Sequence, residues 1–336
     1  MTSRKTRLAA LTGLLAVVAT ACGDSSQPQN TFDPRGPEAR QLDDLINPVF
    51  WVAGAIFVLV NVLIVVAVVK FRRRSDDDAP KQVHGNAKLE LGWTIAPAVI
   101  LAVIGVATLG TIADINAKPP ADALKVRVIG HQWWWEYRYD GDAIVTANEL
   151  HIPVGRVVSI DLEAADVVHS FWPPKLSGKV DAIPGRTNHM TVQADEPGIY
   201  YGQCAEFCGF SHANMLLRVV AHEPADFERW YAANRTRPAD VSTLTGDAAA
   251  GAGLFRTKGC ASCHVVEGYS AGEFGPNLTH LQQRDTFAGA MFELDDRNLR
   301  RWLRDPPGEK PGSLMPNLEL TEDEITKLIA YLNTLK

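Results

Sequence analysis

The chain has 336 residues, which is enough for two ordinary domains and some additional segments. Its formal net charge of −6 leaves no basic surplus to neutralise phosphates, so a general nucleic-acid-binding protein is excluded. Three long apolar runs lie in the first third of the chain, and the rest has the composition of soluble domains. The cysteines, at 22, 204, 208, 260 and 263, are odd in number, which argues against a complete disulfide framework.

The first 21 residues have the pattern of a secretory signal. Basic residues within the first seven positions precede a short apolar run that ends in small residues before Cys22. This run is shorter than the ~20 apolar residues that a bilayer requires. Residues 19–22 fit a lipoprotein cleavage site with Cys22 as the mature N-terminus, and they also fit an ordinary signal cleaved before the same residue.

Two transmembrane helices are predicted in a hairpin over 43–117. The spans cover about 48–70 and 91–115, and each has the length that a hydrocarbon core requires. The loop between them is rich in Lys and Arg, which predicts that it is cytoplasmic and that both flanking segments face outward. Buried helices of a soluble domain are the alternative, but such helices rarely run this long without a polar interruption.

Residues 118–222 change to the period-two pattern of strands. Short strands are predicted from Leu124 to Val128, over 157–162 and over 215–220, with turns containing Gly and Pro between them. Several short strands at close spacing favour an antiparallel sandwich or barrel. A linker follows over 223–245 and is predicted to contain a short helix.

Residues 246–336 return to helical periodicity and form the last predicted domain. Thr321 and Glu324 have the spacing of a capping box ahead of an apolar helical stripe, which predicts the final helix. A further helix is predicted over 287–294.

The most informative motif is C-x3-C-x3-H-x2-M, formed by Cys204, Cys208, His212 and Met215, with His169 upstream. Thiolates, imidazoles and a thioether are soft ligands, which favours copper over magnesium, calcium or manganese. Tetrahedral zinc is the chief alternative, although zinc sites usually have closer cysteine pairs and no methionine. A disulfide between the two cysteines is another, since an exported domain permits one.

Two cysteines in one loop can each bridge two coppers, so the expected site is binuclear. His169 and His212 would each supply one imidazole. Met215 would be a weak axial ligand to one copper, and the Glu206 backbone carbonyl would serve the other. No position is left open for a substrate, which indicates electron transfer rather than substrate chemistry.

The sequence from Cys260 to His264 contains C-x-x-C-H, the attachment motif of c-type haem. Cys260 and Cys263 would form the thioethers, and His264 would ligate the iron. Met315, ahead of the final helix, is the expected sixth ligand, and Met291 in the predicted helix is its competitor. A His–Met pair raises the reduction potential, as in electron-carrying cytochromes. A redox dithiol is the alternative interpretation of C-x-x-C.

These motifs resemble those of a known family. The copper motif looks like the binuclear copper (CuA) loop of cytochrome c oxidase subunit II. The family resemblance extends to residues 89–97, 130–137, 168–172 and 178–186, and it covers about 43–230 in total. Residues 246–336 resemble a class I cytochrome c, and the order of modules is similar to subunit II of caa-type oxidases.

The resemblance implies a multidomain membrane protein with a two-helix transmembrane hairpin, an all-β cupredoxin-like Greek-key barrel and an all-α class I cytochrome c domain. It implies that electrons pass from a donor through the fused haem and CuA to haem a in subunit I, where O2 is reduced and protons are pumped. The implied partners are subunit I, other oxidase subunits, and cytochrome c or a cytochrome bc complex as donor. The implied location is the bacterial inner membrane, with both redox domains on the periplasmic side.

Three further roles rest on the resemblance. Trp133 would be the surface aromatic that receives an electron from a cytochrome c. Glu206 would also present its carboxylate to magnesium at the contact with subunit I, and Glu90 would lie at the cytoplasmic mouth of a proton path. From the residues alone, Trp133 could be a core or interfacial aromatic. Glu90 could equally be a solvated charge at a helix start.

The motifs alone are also compatible with two other functions. One is an electron-transfer subunit of a different copper–haem reductase, such as a relative of nitrous oxide reductase. The other is a copper-delivery protein, although such a protein does not need a covalent haem.

Overall fold

The structure is a computed structural model, and it describes residues 27–72, 84–139, 141–236, 238 and 240–336. The predicted signal over 1–21 and Cys22 lie outside the described residues, as does most of the basic loop between the two predicted spans.

Two long apolar helices form the N-terminal part of the described chain. Helix α1 spans Pro37–Lys70 and helix α2 spans Ala87–Ile115. Both are long and apolar enough to cross a membrane, and most of their large apolar side chains are exposed. Helix α2 begins where the Asn86 side chain accepts hydrogen bonds from the second and third helical N–H groups, as an N-cap does.

Helix α1 starts well before the predicted span because its first turns are polar and contact the β-domain. The Ser177 hydroxyl donates to the Glu38 carboxylate at 2.7 Å, and Arg40 forms an ion pair with Asp195. The backbone N–H of Ala39 also donates to the Leu176 carbonyl. These contacts fix the first membrane helix to the β-domain.

The β-domain is a sandwich of two five-stranded sheets, ordered β3-β2-β1-β5-β8 and β4-β10-β9-β6-β7. The strands are β1 (Leu124–His131), β2 (Trp134–Tyr139), β3 (Ile144–Ala147), β4 (Glu149–Pro153), β5 (Val158–Ala164), β6 (His169–Trp172), β7 (Val180–Ala182), β8 (Asn188–Val192), β9 (Gly198–Cys204) and β10 (Leu216–His222). Most neighbouring strands are antiparallel, but β1 and β5 are parallel, and so are β4 and β10. The chain therefore crosses between the two sheets, as in a cupredoxin-like fold. Strands β1, β5 and β10 of the structure correspond to the three strands predicted from the alternating sequence pattern.

Helix α3 (Pro224–Ala233) lies in the predicted linker and packs on the sandwich through Phe227 and Trp230. The cytochrome domain follows with helices α4 (Gly246–Thr257), α5 (Asp296–Arg304), α6 (Pro306–Glu309) and α7 (Glu322–Leu332). Short 3-10 turns cover Val241–Thr243, Cys260–Ser262 and Leu281–Gln283. The predicted capping box is confirmed, because Thr321 and Glu324 exchange side chain-to-backbone hydrogen bonds at the start of α7.

The helix predicted over 287–294 is wrong. Strand β13 (Thr286–Phe287) pairs with β14 (Phe292–Glu293) in a small hairpin, and β11 (Val265–Val266) pairs with β12 (Ser270–Ala271). Ala288, Gly289 and Ala290 have φ values of 54°, 80° and 58°. A right-handed helix contains no such values, so the chain must turn here.

Candidate copper and haem sites

The residues of the C-x3-C-x3-H-x2-M motif converge with His169 at one end of the inner strands of the second sheet. His169 opens β6 and Cys204 closes β9, and these two strands are hydrogen-bonded neighbours. His212 begins a 3-10 turn, and Met215 immediately precedes β10. The loop from Cys204 to Met215, which we call the copper loop, therefore connects two adjacent strands of the second sheet, β9 and β10.

The ligand atoms of this site lie within a few ångströms of one another. The Sγ atoms of Cys204 and Cys208 are 3.8 Å apart, and Cys204 Sγ lies 4.0 Å from His169 Nδ1. Cys208 Sγ lies 3.6 Å from His212 Nδ1 and 3.8 Å from Met215 Sδ. The two sulfurs form the centre of the cluster, with one imidazole beside each.

The geometry favours a metal site over a disulfide, and the donor set favours copper over zinc. A disulfide needs its sulfurs about 2.05 Å apart, and Cys204 and Cys208 are free thiols well beyond that distance. The Glu206 carbonyl oxygen lies 3.2 Å from Cys204 Sγ, and the Met215 sulfur lies beside Cys208. The donor set is thus soft and has two halves, which fits copper better than one tetrahedral zinc.

Hydrogen bonding prepares Cys204 to act as a thiolate. The hydrogen bond from Cys208 lowers the pKa of Cys204, and it outweighs burial, which acts in the opposite direction. Hydrogen bonds from His169 and from the backbone of Ser170 also lower the pKa of Cys204. A thiolate is the form of cysteine that binds metals.

Asp166 is a functional candidate that the motif analysis missed. Its carboxylate accepts hydrogen bonds from His169 Nε2 at 2.8 Å and from the backbone N–H groups of Gln132 and Val167, each at 2.6 Å. Burial would raise the pKa of Asp166, but these hydrogen bonds lower it overall. The carboxylate holds the ring so that Nδ1 faces the sulfurs, as partners of metal-binding histidines do. Its position three residues before His169 is the sequence feature that could have identified it as a partner of this histidine.

Trp133 lies directly behind the copper loop. Its indole Nε1 donates to the Cys208 carbonyl at 3.1 Å. Only 9% of Trp133 is exposed, because the cytochrome domain covers it in the full chain. A Cβ added to Gly312 would lie 3.2 Å from the Trp133 ring, so this backbone approaches the indole closely. The expectation of a surface tryptophan is therefore wrong, since Trp133 is buried with part of the cytochrome domain against its ring. Its role in electron entry stays a prediction.

The haem motif lies on the short turn after α4. Cys260 and Cys263 are free thiols on this turn, and both are half-buried. The His264 Nδ1 lies 2.8 Å from the Pro276 carbonyl oxygen, which leaves Nε2 as the nitrogen available to a metal. A Cβ on Gly275 would lie 2.6 Å from the His264 ring, so this position has room only for glycine.

Met315 lies on the loop between α6 and α7 and packs against the cytochrome core. Its competitor Met291 lies in the turn of the β13–β14 hairpin rather than in a helix. A covalent haem fits the thiols, the oriented His264 and the thioether of Met315 as a donor set, since each provides the group that class I cytochromes use.

Glu90 lies apart from these two centres, whereas Glu206 is part of the copper loop. Glu90 lies in the first turn of α2, where its carboxylate accepts a hydrogen bond from the Asn86 N–H at 3.2 Å. The Glu206 side chain is exposed on the copper loop. His151 and His222 stack on Trp230 on the far side of the sandwich, as expected for structural histidines.

Comparison with known proteins gives a consistent result over three segments. Residues 26–110 match the family model of the cytochrome c oxidase subunit II transmembrane domain, and residues 142–222 match that of its periplasmic domain. Residues 248–336 match the cytochrome c family.

Relatives match along most of the chain. Cytochrome c oxidase subunit 2 of Alkalihalophilus pseudofirmus is 38% identical over 91% of this chain and 90% of its own length. The subunit 2 of Bacillus subtilis is 33% identical over 98% of each chain. A crystal structure of the periplasmic domain of subunit II from Bradyrhizobium japonicum covers 35% of this chain and 96% of its own, at 33% identity and a TM-score of 0.33.

A membrane hairpin, a β-sandwich with a soft metal site and a haem-binding motif define a membrane-anchored electron-transfer subunit. The chain belongs to the cytochrome c oxidase subunit II family, with a cytochrome c domain at its C-terminus. It is thus the subunit through which electrons enter a haem–copper oxidase.

Proposed function

We propose that electrons cross this chain from the cytochrome domain to the copper loop by way of Trp133, and from there to subunit I. The coppers and the covalent haem, when bound, supply one-electron redox chemistry. The protein residues hold the two centres, orient their ligands and exclude water between them.

Two sets of residues hold these centres in the proposal. A copper pair is held by the two thiolates, two imidazoles, one thioether and one backbone carbonyl, from Cys204, Cys208, His169, His212, Met215 and Glu206. A haem is held by Cys260, Cys263, His264 and Met315. The sulfur separation of 3.8 Å and the free imidazole nitrogens beside each sulfur support the first set.

The proposed electron path between the haem ligands and the copper ligands rests on the contacts of Trp133. Trp133 contacts both domains, because its ring lies against the Gly312 backbone of the cytochrome domain and its indole N–H donates to Cys208. Gly312 belongs to the loop that leads to Met315. A single aromatic side chain therefore spans the distance from the haem loop to a copper ligand.

Replacement of Trp133 by leucine tests this path in the assembled oxidase. We expect the rate of electron transfer from haem to copper, followed after flash reduction of the haem, to fall at least tenfold. Trp134→Leu is the matched control, because Trp134 stacks on His131 and makes no hydrogen bond to the copper loop among the described contacts. An unchanged rate in Trp133→Leu would exclude the tryptophan path.

The finer assignments are part of the same proposal. Glu206 presents its exposed carboxylate to magnesium at the contact with subunit I, and Glu90 lies at the cytoplasmic mouth of a proton path. The chain sits in the bacterial inner membrane with both redox domains on the periplasmic side and receives electrons from a cytochrome c or a cytochrome bc complex. The two apolar helices and the basic loop between them support this orientation.

A further inference from the structure

A hairpin of the cytochrome domain docks beside the copper loop. We call residues 286–293, which include β13 and β14, the docking hairpin. The N–H of Leu216, the residue after Met215, donates to the Gly289 carbonyl at the tip of this hairpin, at 3.0 Å. The two domains therefore share a backbone hydrogen bond one residue away from a proposed copper ligand.

Charged side chains anchor the base of the docking hairpin. Glu149 is fully buried, and its carboxylate accepts hydrogen bonds from the Asp285 N–H, at 3.0 Å, and from the Thr286 hydroxyl. Arg218 of β10 pairs with Glu293 of β14 at 2.6 Å. A buried carboxylate is stable only when its hydrogen bonds are made, so Glu149 favours the docked arrangement.

Lys310 joins the two domains at the centre of this interface. Its ammonium is buried, with 4% of the residue exposed, and it donates to the Trp133 carbonyl at 2.6 Å and to the Ala288 carbonyl at 3.0 Å. The first acceptor belongs to the β-domain and the second to the docking hairpin. Gly289, at φ +80°, permits this approach, since a Cβ there would lie 2.5 Å from the Lys310 Nζ.

We propose that Lys310 is a positioning residue for electron transfer: its ammonium locks the docking hairpin to the Trp133 backbone and so fixes the spacing between the cytochrome domain and the copper loop. This inference rests on the proposed function, because it assumes that electrons cross at Trp133. Undocking would leave the ammonium without the Trp133 carbonyl, its partner in the β-domain. Rates of electron transfer fall steeply with distance, so a fixed spacing makes each transfer equally fast.

Lys310→Met tests the proposal, since methionine keeps much of the length and removes the charge. We expect the haem-to-copper rate in the full chain to fall at least tenfold, while the haem and copper spectra and the rate of haem reduction by an external donor stay unchanged. Lys327→Met is the matched control, because Lys327 pairs with Asp323 on α7 of the cytochrome domain, outside the docking hairpin. Its rate should stay within twofold of the unmodified chain.

Cleavage of the linker gives a readout that does not depend on electron transfer. With a protease site inserted between residues 236 and 240, the cut cytochrome domain should stay with the membrane-bound part on size-exclusion chromatography. The Lys310→Met chain should release it. Release from the unmodified chain, or retention in Lys310→Met together with an unchanged haem-to-copper rate, would overturn the role of Lys310.

A charge swap at the edge of the interface covers the case in which Lys310→Met does not fold. Glu293 is largely exposed, so Glu293→Arg should fold while placing a second cation beside Arg218. This variant should release the cut domain, and the double variant with Arg218→Glu should retain it again. Missing metal or haem signals in the unmodified chain would refute the proposed function instead, while the cleavage result would still report on docking.

Discussion

At the scale of single residues, small and charged side chains around the motifs orient the ligands. Asp166 accepts a hydrogen bond from Nε2 of His169, and the Pro276 carbonyl accepts one from Nδ1 of His264. In each case the hydrogen bond leaves the other imidazole nitrogen available to the proposed metal or haem. The ligand motifs thus depend on partners that are close in sequence but not part of the pattern.

Asp166→Asn should weaken copper binding by about 10- to 100-fold, because the carboxylate that orients His169 becomes a neutral amide. Competition with a copper chelator measures the affinity. Asp161→Asn is the control, since Asp161 is an exposed carboxylate that pairs with the exposed His189. Equal affinities of Asp166→Asn and the unmodified chain would show that Asp166 does not support the site.

His222 should make the β-domain less stable in mild acid. Burial and the neighbouring His151 lower the pKa of His222 to about 4, although Asp226 acts in the opposite direction. The unfolded chain, with a histidine pKa near ~6.5, binds the proton more readily, so stability falls as the pH drops from about 6.5 to about 4.

His222→Asn should therefore reduce this loss of stability, as measured by the unfolding temperature of the β-domain at several pH values. An identical acid profile in His222→Asn and the unmodified chain would contradict the assignment.

At the scale of elements, the crossing of α4 and α7 holds the cytochrome domain together. Gly251 of α4 faces the Lys327 carbonyl of α7, and a Cβ at Gly251 would lie 1.9 Å from that oxygen. The helices can approach this closely only because position 251 has no side chain. Gly253, two residues later, has open space around it.

Gly251→Ala should destabilise the cytochrome domain by about 1–3 kcal/mol, because the helices must separate. Gly253→Ala should instead stabilise it by about 0.5–1 kcal/mol, because alanine is the better helix former. Thermal unfolding followed by haem absorbance compares the two variants. Destabilisation by both, or by neither, would show that the crossing does not need Gly251.

At the scale of the whole molecule, periodic patterns and short motifs predicted the order of domains, both apolar helices and the capping box of α7. They failed where long-range contacts decide the structure. The sequence of residues 287–294 predicts a helix. The structure has the docking hairpin there instead, and a hydrogen bond from Leu216 of the β-domain stabilises its turn. Lys310 and Glu149 carry no local pattern, since each acquires its role only from a partner in the other domain.

The docked arrangement also changes how the fused cytochrome is understood. A tethered domain raises the effective concentration of donor beside acceptor. Here the tether is supplemented by buried polar contacts between the two domains, from Lys310 to the Trp133 carbonyl and from Asp285 and Thr286 to Glu149. An external donor is therefore expected to reduce the cytochrome domain rather than to compete with it at the copper loop.

The most direct test of this account is metal analysis combined with electron paramagnetic resonance on the full chain, matured with haem and loaded with copper. We predict two coppers per haem, with one unpaired electron shared equally between the two copper nuclei. A single localised copper, or zinc in its place, would contradict the proposed binuclear centre and the electron path built on it.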